Sequence, residues 1–301
     1  MFKTECNSAE LARRNWQRHG NQIIDMIKKI LITGSNGFIG KHLTDFLSKN
    51  YSVIGIDKNS ENSIDIQNKI DVEKVFEYFK PDIVIHLAAI AGVRISKKFP
   101  NEYIKTNLIG SNNIFELCKE YGVEHVIFMS SSSVYDDLGN LKPLSMYGLT
   151  KLFGEQLLES FDIKYKTIIR PFTVFGENGR KDQLIEGWID KIKCGKPIVF
   201  YGDGESFRNY VYVGDLCSAI KSIIEKNYSG TLEIGGKDIV KLKDVLNNFQ
   251  TVFKYIDVIK VDRMVEDSAG RLPNNSNWNE IDYSPKTDFH EKLSEILKGS
   301  I

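Results

Sequence analysis

The chain has 301 residues, and its 40 lysine and arginine residues balance its 40 aspartate and glutamate residues, so the formal net charge is zero. A chain of this length can bury a large core. The balanced charge excludes the basic surface that nucleic-acid binding or electrostatic attachment to a membrane requires. We therefore expect neither a nucleic-acid partner nor a membrane partner.

The four cysteines lie far apart and form no CxxC pair. This spacing argues against a structural zinc site and a disulfide framework, and it fits a reducing cytoplasm, so we expect no metal. No apolar run approaches the roughly 18 residues that a membrane span requires. Residues 1–27 are polar and charged, which predicts a loosely ordered extension. Met26 directly precedes the first strand pattern and is a plausible alternative start.

From residue 28, short apolar runs alternate with amphipathic segments. The apolar runs are rich in β-branched residues and too short for helices, which predicts strands: KKILITG, YSVIGID, PDIVIHLAA, HVIFMSS and KTIIRPF. Helical spacing separates them at residues 39–49, 72–79, 102–120 and 147–160. Apolar strands that alternate with helices predict an α/β fold with a doubly wound, Rossmann-like parallel sheet.

Beyond about residue 170 the pattern loosens into glycine-containing turns, with helical spacing at 183–193, 215–226 and 242–253. We predict a Rossmann domain over residues 28–170 with a returning segment around 205–235. Residues 171–301 would form mainly a smaller, interleaved α+β lobe for the substrate. That lobe would cover the carboxyl ends of the strands, where open α/β sheets bind ligands.

Gly34, Gly37 and Gly40 follow the first strand and open a helix. Such glycines permit a tight turn, close approach of the backbone to a pyrophosphate, and close packing of helix on strand. The helix amino terminus offers N–H groups to the phosphates. Asp57 ends the next strand about 20 positions later, where a carboxylate accepts hydrogen bonds from a ribose and repels a 2′-phosphate. The motif predicts NAD as the cofactor, although Lys58 weakens the preference for NAD over NADP. A strand-to-helix turn that binds no cofactor is the alternative interpretation of the glycines.

Tyr147 and Lys151 lie four residues apart near the start of a predicted helix, so their side chains share one face. A free phenol titrates near pH 10, and lowering that pKa by about three units costs roughly 4 kcal/mol. One positive charge about 4 Å away, at an effective dielectric near 20, supplies about this amount. We therefore expect the Lys151 ammonium and an oxidised nicotinamide to make Tyr147 an acid and base.

Four consecutive serines, residues 130–133, end the fourth predicted strand. One hydroxyl there could hydrogen-bond the substrate oxygen whose carbon exchanges a hydride. A serine-rich turn and a surface Tyr–Lys pair are the alternatives to a catalytic site. Asp71 fits an amino-terminal cap and an adenine contact equally well. His86 is predicted to be a core residue, and Asn107 is assigned no role.

With these elements in order, the chain resembles the extended short-chain dehydrogenase/reductases, the NAD-dependent epimerase/dehydratase family, from about residue 28 to about residue 243. The matching stretches are TGSNGFIG, HLAAIAGVR, SSSSVY, PLSMYGLTK, RPFTVFG and RNYVYVGD. The resemblance implies that Ser131, Tyr147 and Lys151 are catalytic and that Lys151 binds the nicotinamide ribose. It implies an NAD site lined by Gly34, Gly37, Phe38, Ile39, Asp57, Lys58, Asp71, Val72, Leu87, Ala88, Ala89, Tyr147, Lys151 and Pro171.

Within the family, the strings AGVR, SSSSVY and FTVFGENGR resemble those of UDP-glucuronate 4-epimerases. The 4,6-dehydratases and UDP-glucuronate decarboxylases carry acidic residues just before the VY dipeptide, where this chain has Ser132 and Ser133. Elimination and decarboxylation therefore rank low. UDP-glucose epimerases tend to carry asparagine at the position of Thr173, which favours a glucuronate. The loop from Tyr135 to Tyr147 is shorter than usual in sugar epimerases, and Asp136 replaces the customary glycine.

The resemblance also assigns the substrate-binding residues. Ser132, Ser133 and Thr173 would contact the sugar. Arg208 would pair with the diphosphate of a nucleotide sugar, expected to be a UDP-sugar, because a guanidinium suits that bidentate task. Arg180 is the candidate for a substrate carboxylate, with an exposed loop charge as the alternative.

We predict a cytoplasmic NAD-dependent nucleotide-sugar 4-epimerase, expected to be a homodimer and to serve polysaccharide precursor supply. A 4-ketoreductase of the same fold and a non-catalytic nucleotide-binding protein are the alternatives.

Overall fold

The computed structural model describes residues 27–61, 63–262 and 270–300. The predicted extension therefore lies outside the described residues, except for Ile27. Cys118, Cys194 and Cys217 are free thiols, and Cys6 is not described. Within the described ranges, no helix has both the length and the apolar character needed to cross a membrane.

Six strands form the main sheet: β1 (Lys29–Thr33), β2 (Ser52–Ile56), β3 (Ile83–His86), β4 (His125–Met129), β5 (Tyr165–Pro171) and β9 (Gly230–Ile234). Their order is β2-β1-β3-β4-β5-β9, and every neighbouring pair is parallel. The predicted doubly wound parallel sheet is confirmed. The sequence pattern predicted the first five of these strands; β9 was not predicted as a strand, although it lies inside the segment that was expected to return.

The helices α1 (Phe38–Leu47), α2 (Lys69–Phe79), α3 (Val93–Ser96), α4 (Pro100–Ile104), α5 (Ser111–Glu120) and α6 (Met146–Ser160) belong to the first half. The second half contains α7 (Leu184–Lys193), α8 (Val213–Lys226), α9 (Leu242–Val252) and α10 (Phe289–Lys298). Successive residues of β1 point to opposite faces of the sheet. Ile30 and Ile32 join one buried cluster with residues of α1 and α8, and Leu31 joins the other with residues of α2, α5 and α6. Both faces of the sheet are therefore covered, as its apolar strands require.

The predicted helical stretch over residues 102–120 is confirmed, but its backbone is not α-helical throughout. Between α4 and α5 the residues Lys105–Gly110 form a π-helical segment, a feature that is frequent at functional sites. The Asn107 side chain in this segment accepts a hydrogen bond from the Ile90 backbone N–H (2.8 Å) and donates one to the Ile90 carbonyl (3.0 Å). The irregular turn thus fixes the loop that follows β3.

A second lobe holds a three-stranded sheet, order β10-β8-β6, and a two-stranded sheet, β11-β7. Its strands are β6 (Thr173–Phe175), β7 (Ile198–Tyr201), β8 (Phe207–Tyr212), β10 (Ile239–Lys241) and β11 (Val258–Val261). Aromatic side chains such as Trp188, Phe249 and Phe289 form its buried core with α7, α9 and α10. The boundary between the two predicted domains, at residue 170, stays a prediction.

Candidate active site

The turn after β1 is built from glycines that leave no room for a side chain. Gly34 has φ +74°, and a Cβ there would lie 2.7 Å from the backbone nitrogen of Ala88. A Cβ on Gly40 would lie 2.1 Å from the Gly34 carbonyl oxygen. Gly37 caps α1 without a side-chain hydrogen bond. The first N–H groups of α1 therefore face outward without a side-chain cap, which suits a phosphate.

Asp57 follows β2 beside this turn. Its carboxylate accepts hydrogen bonds from the backbone N–H groups of Asn36 (3.1 Å) and Asn59 (2.8 Å), so it is held at the edge of the glycine turn. Lys58 next to it is exposed. The glycine turn, which brings no side chain between backbone and ligand, and the fixed Asp57 carboxylate together fit a dinucleotide. The β1–β3 neighbourhood is also the point at which the strand order reverses, where such sheets bind ligands.

Several predicted cofactor residues lie around this turn. Phe38 and Ile39 open α1 and are partly buried, Leu87, Ala88 and Ala89 follow β3, and Pro171 ends β5. The Val72 side chain is fully buried in the core, so this side chain is unavailable to a ligand. Asp71 is not the cap of its helix, which corrects one of its two interpretations: Asn68 is the N-cap and accepts a hydrogen bond from the Asp71 N–H.

The predicted catalytic residues lie together at the end of β4. Lys151 is buried and donates a hydrogen bond to the Met129 carbonyl oxygen over 2.7 Å. Ser131 begins the short 3₁₀ turn Ser132–Val134 and accepts a hydrogen bond from the Ser133 N–H. The Ser131 hydroxyl lies close enough to the Tyr147 phenol to lower the pKa of that phenol, against the effect of burial. A hydroxyl, a phenol and an ammonium group are thereby brought to one edge of the sheet.

The pKa values at this site differ from the sequence expectation. Burial raises the pKa of Tyr147, while the Ser131 hydroxyl and the charge of Arg180 oppose that rise. Burial lowers the pKa of Lys151 to about 7, against the favourable charge of Glu155. The expectation that the Lys151 charge lowers the phenol pKa is therefore not met by the protein alone, because burial disfavours the charged form of both groups.

A chain of buried hydrogen bonds, which the sequence analysis did not detect, links the glycine turn to the catalytic helix. The Ser111 hydroxyl donates its one hydrogen to the Asn107 backbone carbonyl, so it accepts a hydrogen bond from His86 Nε2. Because the imidazole proton is then on Nε2, His86 Nδ1 accepts a hydrogen bond from the Thr33 hydroxyl. His86 is accordingly neutral, with its proton on Nε2. Asn107 Nδ2 donates to Thr150, whose hydroxyl donates to the Tyr147 carbonyl. His86 is a fully buried core residue, as predicted.

A cavity of about 630 Å³ opens beside the predicted catalytic residues, a size typical of small-molecule sites. The loops after β3 and β4 line one side, and α7, β7 and β8 of the second lobe line the other. Of the predicted substrate residues, Ser132, Ser133, Thr173 and Arg208 line the cavity. Arg208 donates to its neighbouring Phe207 carbonyl.

Arg180 does not line this cavity but lies directly behind its wall. Its guanidinium forms a bidentate pair with Asp182, with contacts of 2.9 and 2.7 Å, and Asp182 does line the cavity. The Arg180 charge lowers the pKa of Tyr147 and of Tyr103, which places the guanidinium near both phenols. A substrate carboxylate would have to compete with Asp182 for Arg180.

The cavity residues that the sequence analysis did not single out include Arg94, Tyr201, Asn209 and Arg271. The Arg94 guanidinium lies over the Tyr201 ring, 4.7 Å from its centroid, and so joins the loop after β3 to the second lobe. Arg271 lies over the Tyr135 ring at 5.6 Å and donates to the Asp136 carbonyl. For Arg94 the signal was present in the quoted AGVR string; for Arg271 no local pattern marked it.

Comparison with known proteins agrees with this geometry. Residues 30–235 match the family model of the NAD-dependent epimerase/dehydratase family. A UDP-glucuronate 4-epimerase of Thermodesulfobacterium geofontis is 34% identical over 251 residues, which cover 72% of the chain and 78% of that relative. A dTDP-D-glucose 4,6-dehydratase of Dictyostelium discoideum is 30% identical over 265 residues, covering 71% of the chain and 61% of that relative.

Among solved structures, the UDP-glucuronic acid 4-epimerase of Bacillus cereus, in complex with UDP-glucuronic acid and NAD, is similar with a TM-score of 0.81 and 29% sequence identity. The similarity covers 90% of the chain and 99% of that structure. Relatives named as epimerases and a relative named as a dehydratase are thus both similar to this chain.

The buried His86 predicts a specific pH dependence of stability. Burial and the Lys151 charge lower the pKa of His86 from 6.5 to about 3. Between these values the unfolded chain binds a proton that the folded protein does not, so this contribution to stability is present above pH 6.5 and is lost as the pH falls. From pH 6.5 to about pH 5 the loss is about 1–2 kcal/mol. Urea unfolding of wild type and His86→Asn measures it.

His86→Asn is less stable than wild type at neutral pH, but it loses less stability on acidification. His290→Asn, at an exposed position, is the control and keeps the wild-type slope. Equal slopes for wild type and His86→Asn would contradict the neutral, buried imidazole.

Proposed function

The chain belongs to the NAD-dependent epimerase/dehydratase family and uses NAD as its cofactor. We propose that it is a nucleotide-sugar 4-epimerase that acts on UDP-glucuronate or a related UDP-hexose. One observation carries the proposal. Ser131, whose hydroxyl lowers the pKa of the Tyr147 phenol, directly precedes Ser132 and Ser133, which line the cavity. Elimination and decarboxylation need a carboxylate at that place, and C4 oxidation does not.

The residues divide the proposed reaction among them. Tyr147 takes the proton of the sugar 4-hydroxyl and later returns it, and Ser131 hydrogen-bonds the same oxygen. NAD supplies the hydride acceptor and donor. The 4-keto sugar turns in the cavity between the two half-reactions, so the configuration at C4 inverts with no net redox change. Arg208 on the cavity wall is suited to the diphosphate, which anchors the substrate while the sugar turns.

The charge states of Tyr147 and Lys151 support each other in this mechanism. Burial disfavours the phenolate and the ammonium separately. In the proposed reaction, a phenolate at Tyr147 would favour protonation of Lys151, and the ammonium would favour ionisation of Tyr147, because opposite charges that lie near each other stabilise each other.

Removing the phenol tests the proposal directly. Wild-type protein, with at most catalytic NAD, should convert UDP-glucuronate or UDP-glucose to its C4 epimer, detected by NMR. Tyr147→Phe should lower turnover by about 10³-fold or more because the proton carrier is gone, while the affinity for the UDP-sugar changes only a few-fold.

The alternatives give other results. A 4-ketoreductase would consume the dihydronicotinamide stoichiometrically, seen as falling absorbance. A non-catalytic binding protein would show no turnover, and Tyr147→Phe would change little. Failure to invert C4 of any UDP-hexose or UDP-uronate would refute the epimerase proposal.

Arg180 and Asp182 provide a test of the glucuronate preference. If Arg180 binds the substrate carboxylate, Arg180→Gln should lower kcat/KM for UDP-glucuronate about 10- to 100-fold, which is the value of one charged hydrogen bond. The same substitution should change kcat/KM for UDP-glucose little. Asp182→Asn removes the competing carboxylate and should lower KM for UDP-glucuronate. Steady-state kinetics on both substrates measure this; equal effects of Arg180→Gln on both would exclude the carboxylate role.

The expected homodimer stays a prediction. On the helical stretch from Pro100 to Glu120 and on α6, the side chains of Ile104, Ile109 and Phe153 are exposed. These two helical segments pack against each other along the same side of the sheet. Their apolar exposure is what a second copy of the chain would cover.

A further inference from the structure

The segment that carries Ser131 is bonded at both of its ends to one buried ion pair. Glu155 on α6 and Arg170 on β5 form a bidentate pair, with contacts of 2.9 and 2.5 Å. At the start of the segment, the Ser130 hydroxyl donates to the same Glu155 carboxylate. At its end, Arg170 donates to the Tyr135 hydroxyl over 2.5 Å. Ser131 therefore lies between two points fixed by a single pair.

The pair is buried, with side-chain exposures of 5% for Glu155 and 11% for Arg170. Burying two charges costs several kcal/mol of solvation, so such a pair is weak evidence for a stabilising role. Its bidentate geometry instead fixes direction as well as distance. Glu155 also continues the row Tyr147, Lys151, Glu155 at intervals of four residues, which places all three on one face of α6.

We propose that Glu155 and Arg170 are positioning residues, which hold the Ser131 hydroxyl next to the Tyr147 phenol. This inference rests on the proposed function. Neither residue lines the cavity, and neither carboxylate nor guanidinium touches the site of reaction. They act through Ser130 and Tyr135, whose bonds hold the two ends of the serine segment.

The same network extends to the last strand of the main sheet and to the cavity wall. The Tyr135 hydroxyl donates to Glu233 on β9 over 2.5 Å, and the other Glu233 oxygen accepts from the Asn274 N–H over 2.8 Å. The Tyr135 ring lies between two guanidinium groups, with Arg170 at 5.2 Å and Arg271 at 5.6 Å from its centroid. Since Arg271 lines the cavity, the wall that contacts the substrate and the segment that carries Ser131 share one anchor.

The charge of Glu155 has a second consequence. It opposes the effect of burial on the pKa of Lys151. The titratable groups that face Lys151 are Tyr147 and Glu155 on its own helix and His86 on β3, and Arg170 on β5 lies behind Glu155. Loss of the Glu155 charge should lower the pKa of Lys151, and loss of a well-placed Ser131 should raise the pKa of Tyr147.

Glu155→Gln tests the proposal, with Glu159→Gln as the matched control. Glu159 lies one turn further along α6 and pairs with Lys166, also on β5, but its side chain is exposed. In Glu155→Gln, kcat should fall about 10- to 100-fold, as expected for a small misplacement of a catalytic group, with KM for the UDP-sugar within about threefold. The pH range of activity should narrow from both sides. The proposed reaction needs an ionised Tyr147 and a protonated Lys151, and in this variant the pKa of Tyr147 rises while the pKa of Lys151 falls. Glu159→Gln should match wild type in all three readouts.

A direct titration separates this proposal from the proposed function. The ionisation of Tyr147 is followed by near-ultraviolet tyrosinate absorbance of the NAD-loaded protein, as the difference from the same protein carrying Tyr147→Phe. A higher Tyr147 pKa in Glu155→Gln supports the positioning role even if no C4 epimerisation is found. An unchanged Tyr147 pKa together with unchanged kinetics would overturn it.

Should Glu155→Gln fail to fold, Tyr135→Phe tests the other end of the segment. It keeps the ring between Arg170 and Arg271 and removes only the hydroxyl. We expect kcat to fall about 3- to 10-fold, the value of one hydrogen bond, with the same upward shift of the Tyr147 pKa. Wild-type kcat and wild-type titration in this variant would also overturn the proposal.

Discussion

The site depends on one buried contact, the hydrogen bond from the Lys151 ammonium to the Met129 carbonyl at the end of β4. It fixes helix α6 to the strand end, and because Tyr147 lies one turn earlier on the same helix, it also fixes the phenol near Ser131. A buried lysine is costly unless it is bonded, so this position is tightly specified. The close packing of α6 against the sheet also accounts for the pKa of Lys151, which burial lowers to about 7.

The main sheet was predictable because its central strands are buried on both faces and therefore read as continuous apolar runs. Strand β9, Gly230–Ile234, lacks this signal because threonine and glutamate interrupt it. The short strands of the second lobe have three to six residues, too few for a clear period. The segment Lys105–Gly110 has helical spacing in the sequence, and its π-helical backbone hydrogen bonds, which span five residues instead of four, leave no mark in that spacing.

The site was predictable where residues close in the chain act together, as Tyr147 and Lys151 do at an interval of four. It was not predictable where distant segments meet: Arg271 contacts Tyr135 across more than a hundred residues. The prediction of a lowered pKa for Tyr147 was not met for a different reason. This pKa depends on burial, and the spacing of residues along a helix does not show burial. Likewise, Asn68 rather than Asp71 caps its helix, since either residue type suits that position.

The central claim is that only the hydroxyl proton passes through Tyr147, while the hydrogen on C4 leaves and returns to the same carbon. UDP-glucuronate deuterated at C4, incubated with the protein in ordinary water and analysed by NMR and mass spectrometry, tests this most directly. The account predicts that both C4 epimers retain the deuterium at C4. Loss of the label to water, or its appearance at another carbon as an elimination would require, would contradict it.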